Sequence, residues 1–200
     1  MAPAISGLAE CYYYGMGVPR DFAQAEKLYL QAADRGYLDA LNTLGFVYMH
    51  GMRGEPQPER AYELYRQAAE AGNAEGQCHV GRCLLRGEGV SQDITQALAW
   101  LRKAAEQGHP QAMCDLGRCA AEGIGVAQDM VEAERWFRKA ADTGLALAVG
   151  MADAIAIGML GRHDIPPERL NNAISWMQTL VEEGDALAAD LLERLNAVDA

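Results

Sequence analysis

The sequence predicts an all-α fold: a right-handed α-solenoid of helix-turn-helix repeats that ends in a C-terminal capping helix. Three observations lead there. The first is a pattern that returns every thirty-six residues. Gly87-x-Gly89-Val90 is followed by Asp93, Ala97, Trp100, Lys103-Ala104-Ala105 and Gly108; Gly123-x-Gly125-Val126 is followed by Asp129, Ala133, Trp136, Lys139-Ala140-Ala141 and Gly144. Toward the N-terminus the same frame holds Gly15-x-Gly17-Val18, Asp21, Ala25, Leu28, Ala32-Ala33 and Gly36, with Gly51, Ala61, Leu64, Ala68-Ala69 and Gly72 between. The second is composition. Half of the 200 residues are hydrophobic, helix-forming Ala, Leu, Glu and Gln are plentiful, and strand patterning is absent. The third is punctuation: loop glycines for a sharp turn, Asp93 and Asp129 where a helix N-cap belongs, and Gly108 and Gly144 where the second helix stops.

Taken in order, the first helices start at Ala4, Ala40, Gly76, Ala112 and Ala148, and the second helices cover 21–35, 57–71, 93–107 and 129–143. The units span about 4–39, 40–75, 76–111, 112–147 and 148–187, with a cap over 188–200, in one repeat domain of residues 1–200. In the second unit Gly51-Met52-Arg53-Gly54-Glu55-Pro56-Gln57-Pro58 replaces the usual loop, and Pro58 suits the first turn of the next helix. In the fifth, Gly161-Arg162-His163-Asp164-Ile165-Pro166-Pro167 lengthens the loop before a helix carrying Ala173, Trp176 and Gly184. Residues 186–197 form an amphipathic helix with Leu187, Leu191, Leu192 and Leu195 on one side. Within the units, Ala97 and Ala105 let helices approach, and Trp100, Trp136 and Trp176 are expected to fill the core beside them. Tyr12 and Tyr48 share a core column with Leu84 and Ala120.

The motif Leu116-Gly117-x-x-Ala120-x-x-Gly123-x-Gly125-Val126-x-x-Asp129, with Leu44-Gly45-x-x-Tyr48-x-x-Gly51 and Val80-Gly81, resembles the SEL-one-like repeat, a relative of the tetratricopeptide repeat. The resemblance covers nearly the whole chain. It implies an α-solenoid scaffold or adaptor for protein complexes, of a kind frequent in bacteria, and not an enzyme. One cysteine-rich bacterial branch of the family staples each hairpin with a disulfide and is linked to β-lactam binding. Here Cys11, Cys83 and Cys119 share one first-helix position and Cys78 and Cys114 another, with none on a second helix, so five free thiols are expected.

A formal charge of −11 argues against nucleic acid and anionic membranes as partners. No apolar run reaches the ~18–20 residues that cross a bilayer, and MAPAISGLAE lacks the basic start of a signal peptide, so a cytoplasmic chain is expected. Ala4 already holds the first helical position of a repeat; if an upstream segment has been removed, the periplasm is the alternative compartment. No metal or cofactor site is expected. Residues five apart on a helix lie about 140° apart around its axis, which separates the two cysteines of each pair. Cys83 and Cys119 align with core-like Val47 and Ile155, whereas Cys78 and Cys114, aligned with Ser6 and Asn42, are expected to face solvent. Glu10, His50, His79, Asp115 and His163 are scattered over several repeat positions and form no nucleophile, base and orienter set.

In tetratricopeptide-like arrays the first helices line the concave face, and the resemblance places the third, seventh, tenth and eleventh residues of each unit there. The candidate groove is then Asn42, Cys78 and Cys114 (third); Glu10, Phe46, Arg82, Arg118 and Ala154 (seventh); Tyr13, Met49, Leu85 and Ile157 (tenth); and Tyr14, His50 and Arg86 (eleventh). Aromatics, Met and Arg are types enriched at binding surfaces, and Arg82, Arg86 and Arg118 are expected to converge. The expected function is a scaffold that binds a protein or peptide with acidic and apolar residues. The alternatives are an assembly subunit using its edges and convex face, and a small-molecule, β-lactam-like binder or hydrolase.

Overall fold

The computed structural model describes residues 2–51, 54–160 and 166–197, apart from the side chains of 146, 147, 157–160, 167–169 and 197. Among these residues eleven helices follow one another: α1 (Ala2–Tyr14), α2 (Phe22–Asp34), α3 (Asp39–Met49), α4 (Pro58–Glu70), α5 (Ala74–Arg86), α6 (Ile94–Glu106), α7 (Pro110–Glu122), α8 (Met130–Ala141), α9 (Ala146–Leu160), α10 (Pro167–Glu182) and α11 (Ala186–Ala197). By internal contacts they divide into two compact units, Met1–Gln107 and Gly108–Ala200. In the first unit α1 packs on α2, α3 on α4 and α5 on α6; in the second α7 packs on α8, α9 on α10, and α11 on both α9 and α10.

The second helices begin at the predicted caps. Asp21, Asp93 and Asp129 are extended, and their carboxylates accept hydrogen bonds from the amides of Gln24 at 3.0 Å, Gln96 at 2.9 Å, and Val131 and Glu132 at 2.9 Å. Each cap amide in turn donates to a carbonyl near the end of the preceding helix: Asp21 to Tyr12, Asp93 to Leu84 and Asp129 to Ala120. Gln57 makes the same bond to Tyr48 at 2.8 Å, so the divergent second loop closes its hairpin as the others do. The side chain just before the cap closes a second bond: Arg20 to the Tyr13 carbonyl, Gln92 to Leu85 and Gln128 to Ala121. The first helices start up to two residues earlier than the repeat frame suggests. Asn73 and His109 supply side-chain caps to α5 and α7, accepting from the amides of Gly76 and Ala112.

In each hairpin the residue after the Trp100 position of the repeat lies deepest, although Leu28 and Leu64, which hold that position in the first two hairpins, are buried as well. Tyr29, Tyr65, Leu101, Phe137 and Met177 are at most 2% exposed. Trp100 and Trp136 are half-buried, with the Lys103 and Lys139 ammonium groups 4.2 and 4.4 Å from the ring centroids, and Trp176 is exposed. The tryptophans therefore do not fill the core. The reason is on the facing helix: a Cβ on Gly45, Gly81 or Gly117 would lie 2.6 Å from Tyr65, 2.7 Å from Leu101 or 2.9 Å from Phe137. These glycines bring the first helix so close that only the inward residue fits between. Tyr48, Leu84 and Ala120 are buried as expected.

Neighbouring hairpins of the first unit stack through small residues. A Cβ on Gly76 of α5 would lie 2.7 Å from the Ala68 Cβ and 2.9 Å from the Ala69 amide nitrogen of α4. Gly89, at φ +72°, comes so near the start of α4 that a Cβ would sit 2.0 Å from the Pro58 carbonyl oxygen. In the second unit α9 departs from the pattern. Asp153 stands at the position of Gly45 and Gly81, buried and paired with Arg138 at 3.2 Å, and Gly150 takes over the close contact, against Trp176. The terminal α11 buries Leu187, Leu191 and Leu195 as a cap should, and Asp185 caps its first turn by accepting from the Ala188 amide at 3.0 Å.

Candidate functional site

In the first unit, α3 and α5 lie side by side with α4 behind them. Between them opens a pocket of about 170 Å³ lined by Phe46, Met49, His50, Tyr65, His79, Arg82, Cys83, Arg86 and Glu88. Its floor is set by the repeat. Tyr65 is held against Gly45 and stacks on the His79 ring at 4.3 Å and 18°; its burial pushes the phenol well above its ordinary pKa, so it stays neutral. The wall and rim come from residues that do not repeat. Phe46 is 45% exposed and tilts against the His50 ring at 4.2 Å. Opposite stands Arg82, with Arg86 one turn beyond it, 3.8 Å from Glu88. Both members of that pair are largely exposed, so it holds Arg86 loosely.

The pocket gathers five of the predicted groove residues: Phe46, Met49, His50, Arg82 and Arg86. Leu85 is half-buried and packs on the core; Glu10 and Tyr14 are exposed on α1. The rest of the candidate groove needs correction. Asn42, Cys78 and Cys114, at the third position, are 2–3% exposed rather than on a surface. In the first unit the cause is that α3 and α5 meet directly. Asn42 donates to Asn73, the cap of α5, at 2.8 Å, and Asn73 donates to Asp39 at 2.9 Å. Tyr13 is buried in the first hairpin, with its ring edge-on to Phe22, and Ala154 is fully buried in the second unit. The side chain of Ile157 lies outside the described residues.

Arg118 belongs to the second unit and is engaged there. Its guanidinium donates to both carboxylate oxygens of Asp185, at 2.5 and 3.1 Å. Burial alone would raise the Asp185 pKa, but the Arg118 hydrogen bonds and charge and the Ala188 and Leu187 amides hold it below the ordinary aspartate value. For Arg118, burial acts to lower the pKa and the Asp185 hydrogen bond and charge outweigh it. The expected contribution of Arg118 to a surface patch is thus absorbed by the chain's own cap. Asp185 is the residue that sequence reasoning missed; its place at the Asn73 and His109 position of the repeat was the available signal.

None of the five cysteines forms a disulfide. Burial pushes the Cys83 thiol up to about 11, with Glu88 adding to it, and the Cys114 thiol up to about 12, so both are protonated and poorly nucleophilic at neutral pH. Among the described residues no group of three or more His, Cys, Asp or Glu could hold a metal ion, and no helix is long and apolar enough to cross a membrane.

Stacked helical hairpins with a non-repeating pocket on their first helices define a helical-repeat scaffold. The chain belongs to the Sel1 repeat family, whose pattern matches residues 2–37, 38–73, 74–109 and 110–145. The fifth hairpin, where Asp153 and Trp176 alter the packing, lies outside the match. A search of curated proteins by sequence gave no match. Among solved structures, the chain is similar to c5321, a protective antigen of uropathogenic Escherichia coli with an SLR fold, at 30% identity and a TM-score of 0.72. That likeness covers 96% of this chain but only 40% of the antigen. A Sel1 repeat protein from Oxalobacter formigenes is 28% identical over 96% of this chain and 75% of its own, with a TM-score of 0.74. The immunity protein Pa5087 from Pseudomonas aeruginosa, 21% identical over 98% of this chain and 80% of its own, with a TM-score of 0.59, shares the fold. The fold is accordingly the all-helical SLR solenoid that the repeat frame predicts.

Proposed function

We propose that the chain is a protein-binding scaffold that receives a partner segment in the pocket between α3 and α5. An acidic side chain of the partner meets Arg82 and Arg86, and a neighbouring apolar side chain packs on Phe46 and Met49. The observation that carries this reading is the pairing of a large exposed apolar ring with two guanidinium groups in one concavity of a chain with net charge −11. Solvated repeat surfaces do not concentrate those types, whereas binding surfaces do. Size supports a peptide: about 170 Å³ admits one side chain, while pockets for drug-sized ligands run to about 300–1,000 Å³. The one thiol lining the pocket, Cys83, is held protonated by its burial and is a poor nucleophile.

The test is selection from a displayed library of random 12-residue peptides. Sequences joining Asp or Glu to an aromatic or aliphatic residue should be enriched. Arg82→Glu/Arg86→Glu should keep its helicity and lose at least ~tenfold in affinity, about 1.4 kcal/mol. Equal binding by the folded variant would remove the pocket from the mechanism and favour assembly through edges and the convex face.

A further inference from the structure

His79 lines the α3–α5 pocket but takes no part in the contacts proposed above, and the fold does not demand it. Gly7, Thr43 and Asp115 hold its place in other hairpins. The ring is nonetheless held in a set orientation. Tyr65, wedged against Gly45, stacks on it at 4.3 Å and 18°, and the His79 Nε2 stands 3.8 Å from a Glu75 carboxylate oxygen, beyond hydrogen-bond distance. The charges around it come from α5 and the loop that follows. Arg82 and Arg86 are the fixed cations, and Glu75 and Glu88 are the carboxylates. The remaining neighbours add no fixed charge. Tyr65 of α4 and Cys83 of α5 are protonated at neutral pH, the Arg66 guanidinium of α4 is taken up by Glu63 and Glu70 of its own helix, and α6 meets α5 through Leu101 and the Ala97 carbonyl. From α3 comes His50, whose ring lies against Phe46. Two guanidinium groups against two carboxylates leave the cavity without net charge until an imidazole is protonated.

We propose that His79 is the third cation of the pocket, and that the partner's acidic side chain is bound together with a proton on the His79 ring. Imidazole is the side chain whose charge ordinarily changes across neutral pH. The Tyr65 face beneath the ring receives an imidazolium as a cation–π contact, and the Glu75 oxygen lies at ion-pair distance from it. A carboxylate entering beside Arg82 and Arg86 gives the cavity an excess of negative charge, and the proton cancels it. By reciprocity, the bound acid favours the proton as much as the proton favours the bound acid. The sign follows: the partner binds more tightly below neutral pH than above it. Aspartate and glutamate side chains are ionised throughout the window from about pH 6 to about pH 8, so the partner's own acid does not supply the change. This inference rests on the α3–α5 pocket as the peptide site.

The probe is a peptide enriched from the displayed library, free of histidine and blocked at both ends, and the measurement is isothermal titration calorimetry. Affinity should be at least ~threefold higher at about pH 6 than at about pH 8. At neutral pH, titrations in two buffers of different ionisation enthalpy should show net proton uptake on binding. His79→Gln should bind as the parent does at the higher pH and lose both the pH dependence and the uptake, whereas His50→Gln should keep them. NMR of the labelled imidazole rings reads the same event in the parent chain, so poor folding of the His79 variant leaves the question decidable. Adding peptide at neutral pH should move the His79 signal, among the chain's four histidines, toward the charged form. Peptide binding of equal strength at both pH values, or a pH dependence that survives in folded His79→Gln, would overturn the inference and leave the pocket standing. Absence of peptide binding at either pH would remove the pocket reading and this inference with it.

Discussion

Trp136 and Phe137 are adjacent on α8, and their substitution separates two views of the repeat core. Phe137 is 1% exposed and lies where a Cβ on Gly117 would come within 2.9 Å of its ring. Phe137→Ala removes a fully buried ring and leaves a cavity that the rigid hairpin cannot close, a cost of ~3–5 kcal/mol. Trp136 is half-buried and carries the Lys139 ammonium 4.4 Å from its ring centroid. Trp136→Ala gives up part of its burial and one cation–π contact, ~1–2 kcal/mol in all. Urea denaturation followed by far-UV circular dichroism gives both values from the same midpoint analysis. The structure requires the phenylalanine variant to be the weaker by at least ~1 kcal/mol. Equal losses, or a larger loss at Trp136, would mean that the tryptophan is the core residue and that the hairpin register is off by one.

Two further outcomes follow from the packing. Asp185→Asn keeps a side chain able to cap α11 but removes the charge that pairs with Arg118; allowing for the solvent that reaches Arg118, it should cost about 1 kcal/mol at pH 7. Because the folded-state pKa of Asp185 is depressed, this stabilisation is complete above the ordinary aspartate value near 4 and is lost as the pH falls through the lower folded value, so urea midpoints of parent and variant should converge once the pH is below that folded value. A difference that persists there would rule out the ion pair as its source. Gly17→Ala and Gly89→Ala impose nearly the same strain, at φ +74° and +72°, but only Gly89 faces backbone, so thermal melts should show about 1–2 kcal/mol for the first and clearly more for the second. Equal losses would show that the α5–α6 loop does not rest on α4.

What the sequence reveals and what it hides divide along physical lines. The caps at Asp21, Asp93 and Asp129 and the terminal helix are legible because capping and amphipathic spacing are local chemistry. The period reveals which residues are equivalent but not which of two neighbours points inward. Trp136 and Phe137 differ by about 100° around the helix, and only the closeness of Gly117 decides between them. The groove is legible in part. Phe46, Met49, His50, Arg82 and Arg86 meet as their repeat positions imply, but Asn42 and Cys78 vanish into the α3–α5 contact, which depends on how closely successive hairpins stack. Arg118 is lost to Asp185, sixty-seven residues away, a pairing that no local pattern encodes.

Recognition of an acidic side chain by the α3–α5 pocket is measured most directly by a double-mutant cycle on one selected peptide. The two changes are Arg82→Gln in the chain and replacement of the peptide's acidic residue by its amide, with dissociation constants from isothermal titration calorimetry. If the two groups meet, the second change costs little once the first is made, and the coupling is at least ~1 kcal/mol. Losses that simply add, or no loss from either change, would place the bound peptide away from Arg82 and contradict the pocket as the binding site.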